Sequence, residues 1–588
     1  MTRNMSDPAA FSVSKTGRAT IEANLPDGRI ITGPRSRPVS EFLKLLPEFN
    51  EPPIVGAVIN GELHELTYRL KADAEVRPVT MTEDDGARIY RRSVTFLMEA
   101  AFEKLYPDAI LSVDHSVSFG GYFCQVMNRK PLDQAELDKL TTCMNELVDA
   151  DLPFQRKEVP LKEAVAYFKE QGYSEKVHLL KFREKNTLVL YTLGTHRDYH
   201  HGYMVPSTGY LQYFGLVLMG DGFILKYPRR NTPKSLQPMP EYPKLLAAFR
   251  QYGNWLQRLG IESVGYLDEA IADGRIKDTI LVSEALHTQQ ISSITDQILE
   301  RKDKVRVVLI AGPSSSGKTT FSRRLAIQLL AQGLSPFALE MDNYFVDRER
   351  TPRDASGQFD YESLDALDRP LLSQHLSRLI AGEEVRLPHY DFKTGRSCPG
   401  DSIRLEEGQL LILEGIHGLN PDLIPGFPIG QTFRIYASCL TQLNLDRHNR
   451  ISTTDTRLLR RIVRDARERG YTAQQTINRW ESVRRGEKEH IFPYQENADI
   501  FFNSALVYEL SVLKPLVEPL LRQTVFGTPE YIEAKRLLAF LSWFLPLDAE
   551  LVPDNSILRE FIGGSIVKDF RLWKGSGNGY SNGLKDPL

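Results

Sequence analysis

A short β-branched run, Val305-Arg306-Val307-Val308-Leu309-Ile310, leads almost directly into Gly312-Pro313-Ser314-Ser315-Ser316-Gly317-Lys318-Thr319. The second stretch satisfies G-x-x-x-x-G-K-[ST] at every specified position. Its glycines let the main chain curl, so successive N–H groups can point inward at phosphate oxygens. A helix opening near Lys318 adds its positive N-terminal end. Phe321, Leu325 and Leu329 give that helix an apolar stripe. Strand, glycine loop and amphipathic helix in this order belong in a parallel α/β sheet. The expectation is a triphosphate cradled by Gly312, Pro313, Ser314, Ser315, Ser316, Gly317, Lys318, Thr319 and Thr320. Lys318 would reach the β- and γ-phosphates, and the Thr319 hydroxyl would ligate Mg²⁺.

Such a loop needs a second carboxylate for the metal at the end of a neighbouring strand. Gln409-Leu410-Leu411-Ile412-Leu413-Glu414-Gly415 supplies Glu414 after four apolar residues. Transfer to an alcohol also calls for a carboxylate that orients the hydroxyl and takes its proton. Leu339-Glu340-Met341-Asp342-Asn343-Tyr344 follows the loop helix and a Gly333-Leu334 turn. Asp342 therefore falls at a strand's C-terminal end, where open α/β sheets bind ligands.

The same rhythm of apolar strands and longer helices continues from Val305 onward. Ahead of it the text differs. Asn60-Gly61 between two alternating runs signals a hairpin, and a small β-rich module ends near residue 80. Helical spacing covers Val94–Leu105 and Asp133–Val148, and residues 186–227 return to strand-like runs. Asn231–Tyr242 is rich in proline and polar residues and reads as a linker, with a helical connector behind it. The partition expected is a loose, disordered tail at 1–16, modules at 17–80 and 81–230, linker and connector at 231–300, the phosphate-loop domain at 301–530, a helical extension at 531–574 and a disordered tail at 575–588.

Composition removes several classes. The chain has 588 residues and a net charge of -3, so no global basic field draws it to nucleic acid. Cys124, Cys143, Cys398 and Cys439 are too scattered for a metal knuckle or a disulfide framework. The start lacks an apolar signal core. The most apolar stretch, Leu537–Leu547, is too short to span a bilayer and reads as a buried helix ending at Pro546. A cytoplasmic protein without a membrane partner is the expectation.

Taken together, the loop, Met341-Asp342-Asn343-Tyr344, Phe359-Asp360-Tyr361, Pro388-His389-Tyr390-Asp391-Phe392, Leu413-Glu414-Gly415-Ile416 and Asp455-Thr456-Arg457-Leu458 resemble the uridine kinase and phosphoribulokinase family in order and spacing. The resemblance runs from about Val305 to Asn503. It implies an ATP- and Mg²⁺-dependent kinase acting on a nucleoside-like alcohol. It also implies roles: Asp342 as base with Lys318 beside it; Asp360 and Arg457 on ribose hydroxyls; Tyr390 and Phe392 against the base; Gln475 in the pocket; and Arg460, Arg461 and Arg464 as a lid over ATP. Arg457, Arg460, Arg461 and Arg464 fall on one helical face, where like charges repel unless an anion is near. One position departs from the pyrimidine kinases: where they place a base-reading histidine, this chain has Gly395, which cannot hydrogen-bond a pyrimidine edge.

Residues 18–80 resemble the β-grasp-like TGS module of threonyl-tRNA synthetases, most closely at Asn60-Gly61-Glu62-Leu63. Residues 85–227 resemble the α+β second additional (editing) domain of those enzymes, through Phe102-Glu103-Lys104-Leu105-Tyr106-Pro107, Asp151–Val159 and Val205-Pro206-Ser207-Thr208-Gly209. The editing pairs His-x-x-x-His and Cys-x-x-x-His fall here on Arg92 and Phe96 and on His200 and Met204. Hydrolytic editing is therefore not expected. His196, His200 and His201 cluster without a matching carboxylate or cysteine, so a polar loop is expected there rather than a metal site. The retained shell leaves three occupants open: an RNA, a small molecule or the kinase domain itself. Rivals to a nucleoside kinase are a kinase of another polyol and an RNA-associated ATP-binding factor using the TGS-like module. An oligomer is possible.

Overall fold

The computed structural model describes residues 18–117, 120–354, 357, 359–391, 393–441 and 443–570. Phe392 lies outside the described residues.

The N-terminal sheet is built from β1 (Thr20–Asn24), β2 (Ile30–Pro34), β3 (Ile54–Ile59), β4 (Glu62–Glu65) and β5 (Ala74–Thr80), in the order β2-β1-β5-β3-β4. The β3–β4 hairpin turns through Asn60 and Gly61, at φ 49 and 83. Two consecutive positive φ values are what a tight hairpin of the native twist requires. The long helix α1 (Asp84–Leu105) follows at once. It begins ten residues before the apolar run at Val94, because Asp84 and Asp85 open its first turn and its early polar positions face other parts of the chain. Behind it, β6 (Ile110–Val117), β7 (Gly121–Met127) and two later strands, Gly215–Met219 and Gly222–Lys226, form a four-stranded antiparallel sheet. A second, three-stranded sheet holds Gln155–Pro160, Thr187–Leu193 and His196–Asp198. Residues 231–242 carry no helix or strand, and three helices then fill 243–299.

The C-terminal half is wound around β8 (Val307–Ala311), β9 (Pro336–Glu340), β10 (Leu410–Glu414), β11 (Thr432–Ser438) and β12 (Ile500–Asn503). All are parallel, in the order β9-β10-β8-β11-β12. Their side chains are almost wholly buried along β8, β10 and β11, as expected of a sheet covered on both faces. Helix α2 (Lys318–Ala331) packs on one face through Phe321, Leu325 and Leu329. Two helices important below are α3 (Thr453–Arg469) and α4 (Ala473–His490). The extension runs through α5 (Glu509–Leu521), α6 (Pro529–Leu541) and the single turn α7 (Arg559–Ile562). Helix α6 stops at Leu541, before Pro546; Trp543 and Phe544 continue as buried turn residues.

The halves share one apolar core. Val159, Phe168 and Leu190 of the first half join Tyr252 and Leu267 of the connector and Leu459, Ile462 and Leu513 of the second. No described helix is long and apolar enough to cross a membrane.

Candidate active site and its relatives

The phosphate loop leaves β8 at Gly312, whose backbone passes so close to β11 that an added Cβ would lie 1.9 Å from the Ala437 carbonyl oxygen. Ser315 and Gly317 adopt positive φ, 58 and 84, which curls the loop before α2 begins at Lys318. The Lys318 ammonium donates back to the Pro313 carbonyl at 3.1 Å. The Ser315 and Ser316 hydroxyls are buried and find no partner among the described residues. A curled loop with inward polar groups at a helix start suits an anion.

Carboxylates converge on Lys318. Thr319 Oγ1 donates to Glu414 Oε2 at 3.1 Å. Burial raises the Glu414 carboxyl to about 7, with Lys318 opposing and the Asp342 charge reinforcing the rise. Glu362 is also raised to about 7, by burial first and then by Glu487, with Arg461 and Lys318 opposing. Asp342, in the turn after β9, is exposed. The protein mass around it still raises its carboxyl, while Lys318 pulls it down. Like charges crowded around one ammonium are the mark of a site that awaits further positive charge. A hydroxyl and a carboxylate at hydrogen-bond distance form a hard oxygen donor pair, which fits Mg²⁺.

The arginine row behaves differently from the expectation. Arg457 and Arg460 do not face the phosphates. Arg457 is 2% exposed and grips Glu487 with both nitrogens while donating to the Ser314 carbonyl at 3.0 Å. Arg460 is fully buried, bound to Glu509 at 2.6 Å and to the Ser504 carbonyl at 2.9 Å. The helix face was legible, but buried acids from α4 and α5 neutralise it and turn it into a brace behind the loop. Arg461 alone of the lid residues bonds a loop side chain, Ser314 Oγ at 2.8 Å. Arg461 and Arg464 share the buried carboxylate of Asp465.

Two loop amides are held by side chains from far along the chain. The Ser314 N–H donates to Glu487 Oε1 at 3.0 Å, and the Thr320 N–H donates to Glu560 Oε2 of α7 at 2.9 Å. Beside it, Ile557 packs on Gly317, where a Cβ would come within 2.5 Å of it. Neither Glu487 nor Glu560 carries a local motif that would have marked it.

On the acceptor side, Tyr390 is 2% exposed and packs in the core with its ring tilted against Phe345 at 5.5 Å, so it offers no open face for stacking. Asp360 is half-buried and accepts from the Glu362 N–H at 3.1 Å. Gln475 is exposed at the start of α4, where its side chain accepts from the Thr472 N–H at 2.9 Å. The reciprocal Thr472–Gln475 bonds are a capping box, and T-x-x-Q ahead of a helix was its signal. Gly395 sits at φ 71 with Arg348 against it: a Cβ would lie 2.6 Å from the Arg348 guanidinium carbon. Arg348, which donates to the Tyr361 hydroxyl at 3.2 Å, thus fills the space that a side chain at 395 would take.

In the first half, the histidine cluster does have carboxylates, contrary to expectation. His200 Nε2 bonds Glu99 at 2.8 Å, His196 bonds Glu103, and Asp198 binds both Lys176 at 3.0 Å and His448 Nδ1 at 2.6 Å. Glu99 and Glu103 come from α1, about a hundred residues away, beyond the reach of spacing arguments. Glu99, Asp198 and His200 lie close enough to share a cation; Asp198 and His200 are bonded to protein groups, while Glu99 Oε1 is buried without a hydrogen-bond partner among the described residues. Lys176 also reaches Asp446 at 2.9 Å, so the network ties the two halves together.

Comparisons with known proteins divide along the same line. Threonine–tRNA ligase of Symbiobacterium thermophilum is 29% identical over 206 residues, 35% of this chain and 32% of the ligase. That of Methylococcus capsulatus is 31% identical over 166 residues, 28% of this chain and 26% of the ligase. The chain therefore spans about a third or less of the curated relatives it matches. Among solved structures, a possible uridine kinase from Bacillus stearothermophilus matches at 20% identity and a TM-score of 0.24, covering 35% of this chain and 100% of that one. A putative fructose transport system kinase from Silicibacter sp. TM1040 matches at 19% identity and 0.27, covering 36% and 98%. Residues 307–511, which hold the loop, Asp342, Glu414 and the arginine helix, match the model of the phosphoribulokinase / uridine kinase family.

Proposed function

We propose that the C-terminal half transfers the γ-phosphoryl group of ATP to a hydroxyl of a nucleoside- or sugar-like acceptor. The observation that carries this is the convergence of Asp342, Glu362 and Glu414 on Lys318 at the open end of the phosphate loop. Loop amides and Lys318 hold the phosphates. Thr319 and Glu414 would hold Mg²⁺, which supplies charge neutralisation at the phosphates when bound. Asp342 accepts the acceptor's hydroxyl proton as the new oxygen–phosphorus bond forms and the bond to the ADP oxygen breaks. Its raised carboxyl makes it a stronger base than a free aspartate, and Lys318 keeps it ionised. Arg461, bonded to Ser314, is the lid residue placed to meet charge on the phosphoryl group.

Gly395 and Arg348 argue against a pyrimidine as the recognised ring. A guanidinium offers donors only, so an acceptor with carbonyl, carboxylate or phosphate oxygens near that end is favoured. The test is ADP release from ATP and Mg²⁺ with a panel of purine and pyrimidine nucleosides, ketoses and sugar phosphates. Turnover on purine nucleosides or sugars above uridine supports the reading. No turnover on any member would sink it.

A further inference from the structure

Between the two halves lies a cavity of about 730 Å³, separate from the transfer site. Its walls include Pro313 of the phosphate loop and Arg457 behind it, but not Lys318, Thr319, Asp342, Glu362 or Glu414. Eleven arginine and lysine side chains line it against four carboxylates. Many of those cations have partners: Arg88 pairs with Glu533, Arg536 with Asp455, and Arg457 with Glu487. Three do not. Arg91 and Arg92 of α1 and Arg450 in the loop before α3 form no ion pair with any described carboxylate, and all three line the cavity half-buried.

Their surroundings fix them without neutralising them. Arg91 lies over the Tyr227 ring at 5.6 Å, and Arg450 over the Tyr122 ring at 5.1 Å. The two rings meet edge to face at 5.0 Å. Arg92 donates to the Tyr203 carbonyl at 2.6 Å, and Arg450 to Ser116 Oγ at 3.1 Å. The Nε atoms of Arg91 and Arg450 are buried with no hydrogen-bond partner among the described residues. Ring faces and neutral oxygens supply only part of the charge that a desolvated guanidinium calls for. The excess is felt locally. Burial pushes the Tyr122 hydroxyl up, yet Arg91, Arg450 and Arg92 outweigh it and the net shift is down. Burial also lowers the Arg92 guanidinium to about 10.

We propose that this cavity binds a phosphorylated small molecule of about mononucleotide size, with Arg91, Arg92 and Arg450 on the phosphate. Guanidinium groups match phosphate oxygens in pairs, and one dianion accounts for the donors left over. The volume falls within the range of small-ligand sites, roughly 300–1,000 Å³. Walls from both halves limit the occupant to a small molecule. Binding would tighten the contact between α1 and the segment before α3, and it requires no catalysis by the kinase half.

The test uses the full chain carrying Lys318→Ala, which weakens phosphate binding at the loop. Calorimetric titration compares AMP, adenosine and inorganic pyrophosphate. The expected result is saturable binding of AMP and pyrophosphate, with adenosine weaker by about tenfold or more. The pair Arg91→Gln and Arg450→Gln should lower AMP affinity by a similar factor, about tenfold. Equal binding of AMP and adenosine overturns the proposal, as does absence of saturable phosphate binding at millimolar concentration. If the double variant does not fold, the AMP-to-adenosine comparison decides alone.

Discussion

The two halves each carry a cluster of buried ionisable groups, and the clusters are balanced in opposite ways. Around His200 every charge has an answer: Glu99 meets His200, Asp198 meets Lys176 and His448, and Lys176 meets Asp446. Burial pushes Asp198 up, but Lys176 and His448 override it and hold it low. Around Lys318 the charges are unanswered. Three carboxylates lie within the electrostatic reach of one ammonium without pairing with it, and all three are raised. The first arrangement stores its electrostatics in stability. The second gives stability up, as a site must that is completed only by ligands.

Substitutions can break or sharpen that contrast. The largest stability effect is expected in the balanced cluster. Asp198→Asn removes the carboxylate that His448 meets, leaves the buried Lys176 with Asp446 alone, and should cost about 3 kcal/mol in a urea melt. Turnover per folded molecule should be unchanged. In the unbalanced cluster the sign reverses. The Glu414 carboxyl, with an ordinary value of 4.5, titrates at about 7 in the folded chain. Between those values the folded state holds more protons than the unfolded one, so this group's contribution to stability falls as pH rises and is fully lost above about 7. Glu414→Gln should therefore stabilise the ligand-free protein at pH 8 by on the order of 1 kcal/mol, flatten this part of the pH dependence and abolish Mg²⁺-dependent turnover. A melt more sensitive to pH in the variant than in the wild type would refute the assignment.

Smaller effects probe the loop amides. Glu560 holds the Thr320 N–H that opens α2. Removing its charge by Glu560→Gln should lower the KM for ATP about threefold to tenfold, because a competing anion at a helix start is lost. A raised KM would mean that Glu560 supports the loop rather than competing for it. Least of all, Gln475→Ala should cost about 0.5 kcal/mol through its capping box and leave the acceptor KM unchanged. A large rise in that KM would restore Gln475 to the acceptor pocket.

What could be read in advance follows from how local each cause is. The phosphate loop, the Asn60-Gly61 hairpin and the arginine face of α3 are set by residues within a turn or two of each other, and their spacing states them directly. The Asp133 cap of the helix Gln134–Asp149 is of the same kind. The partners that decide what those features do are remote. Glu487 and Glu560 reach the loop across 173 and 240 residues, and Glu99 reaches His200 across 101. No periodicity links such positions. The arginine row shows the consequence: the helix was legible, but Glu487 and Glu509 bind two of its four arginines, Arg457 and Arg460, as a brace behind the loop. Tyr390 shows the other limit, since an aromatic in a strand-like segment packs a core as readily as it stacks on a ligand.

The central claim is tested most directly by one paired measurement: acceptor-dependent ADP formation by Asp342→Asn and Asp198→Asn, each normalised to folded protein. The account predicts a loss of about 10²–10⁴-fold for Asp342→Asn with an undiminished melting temperature, and near wild-type turnover for Asp198→Asn despite its weaker fold. Wild-type turnover by Asp342→Asn would contradict it.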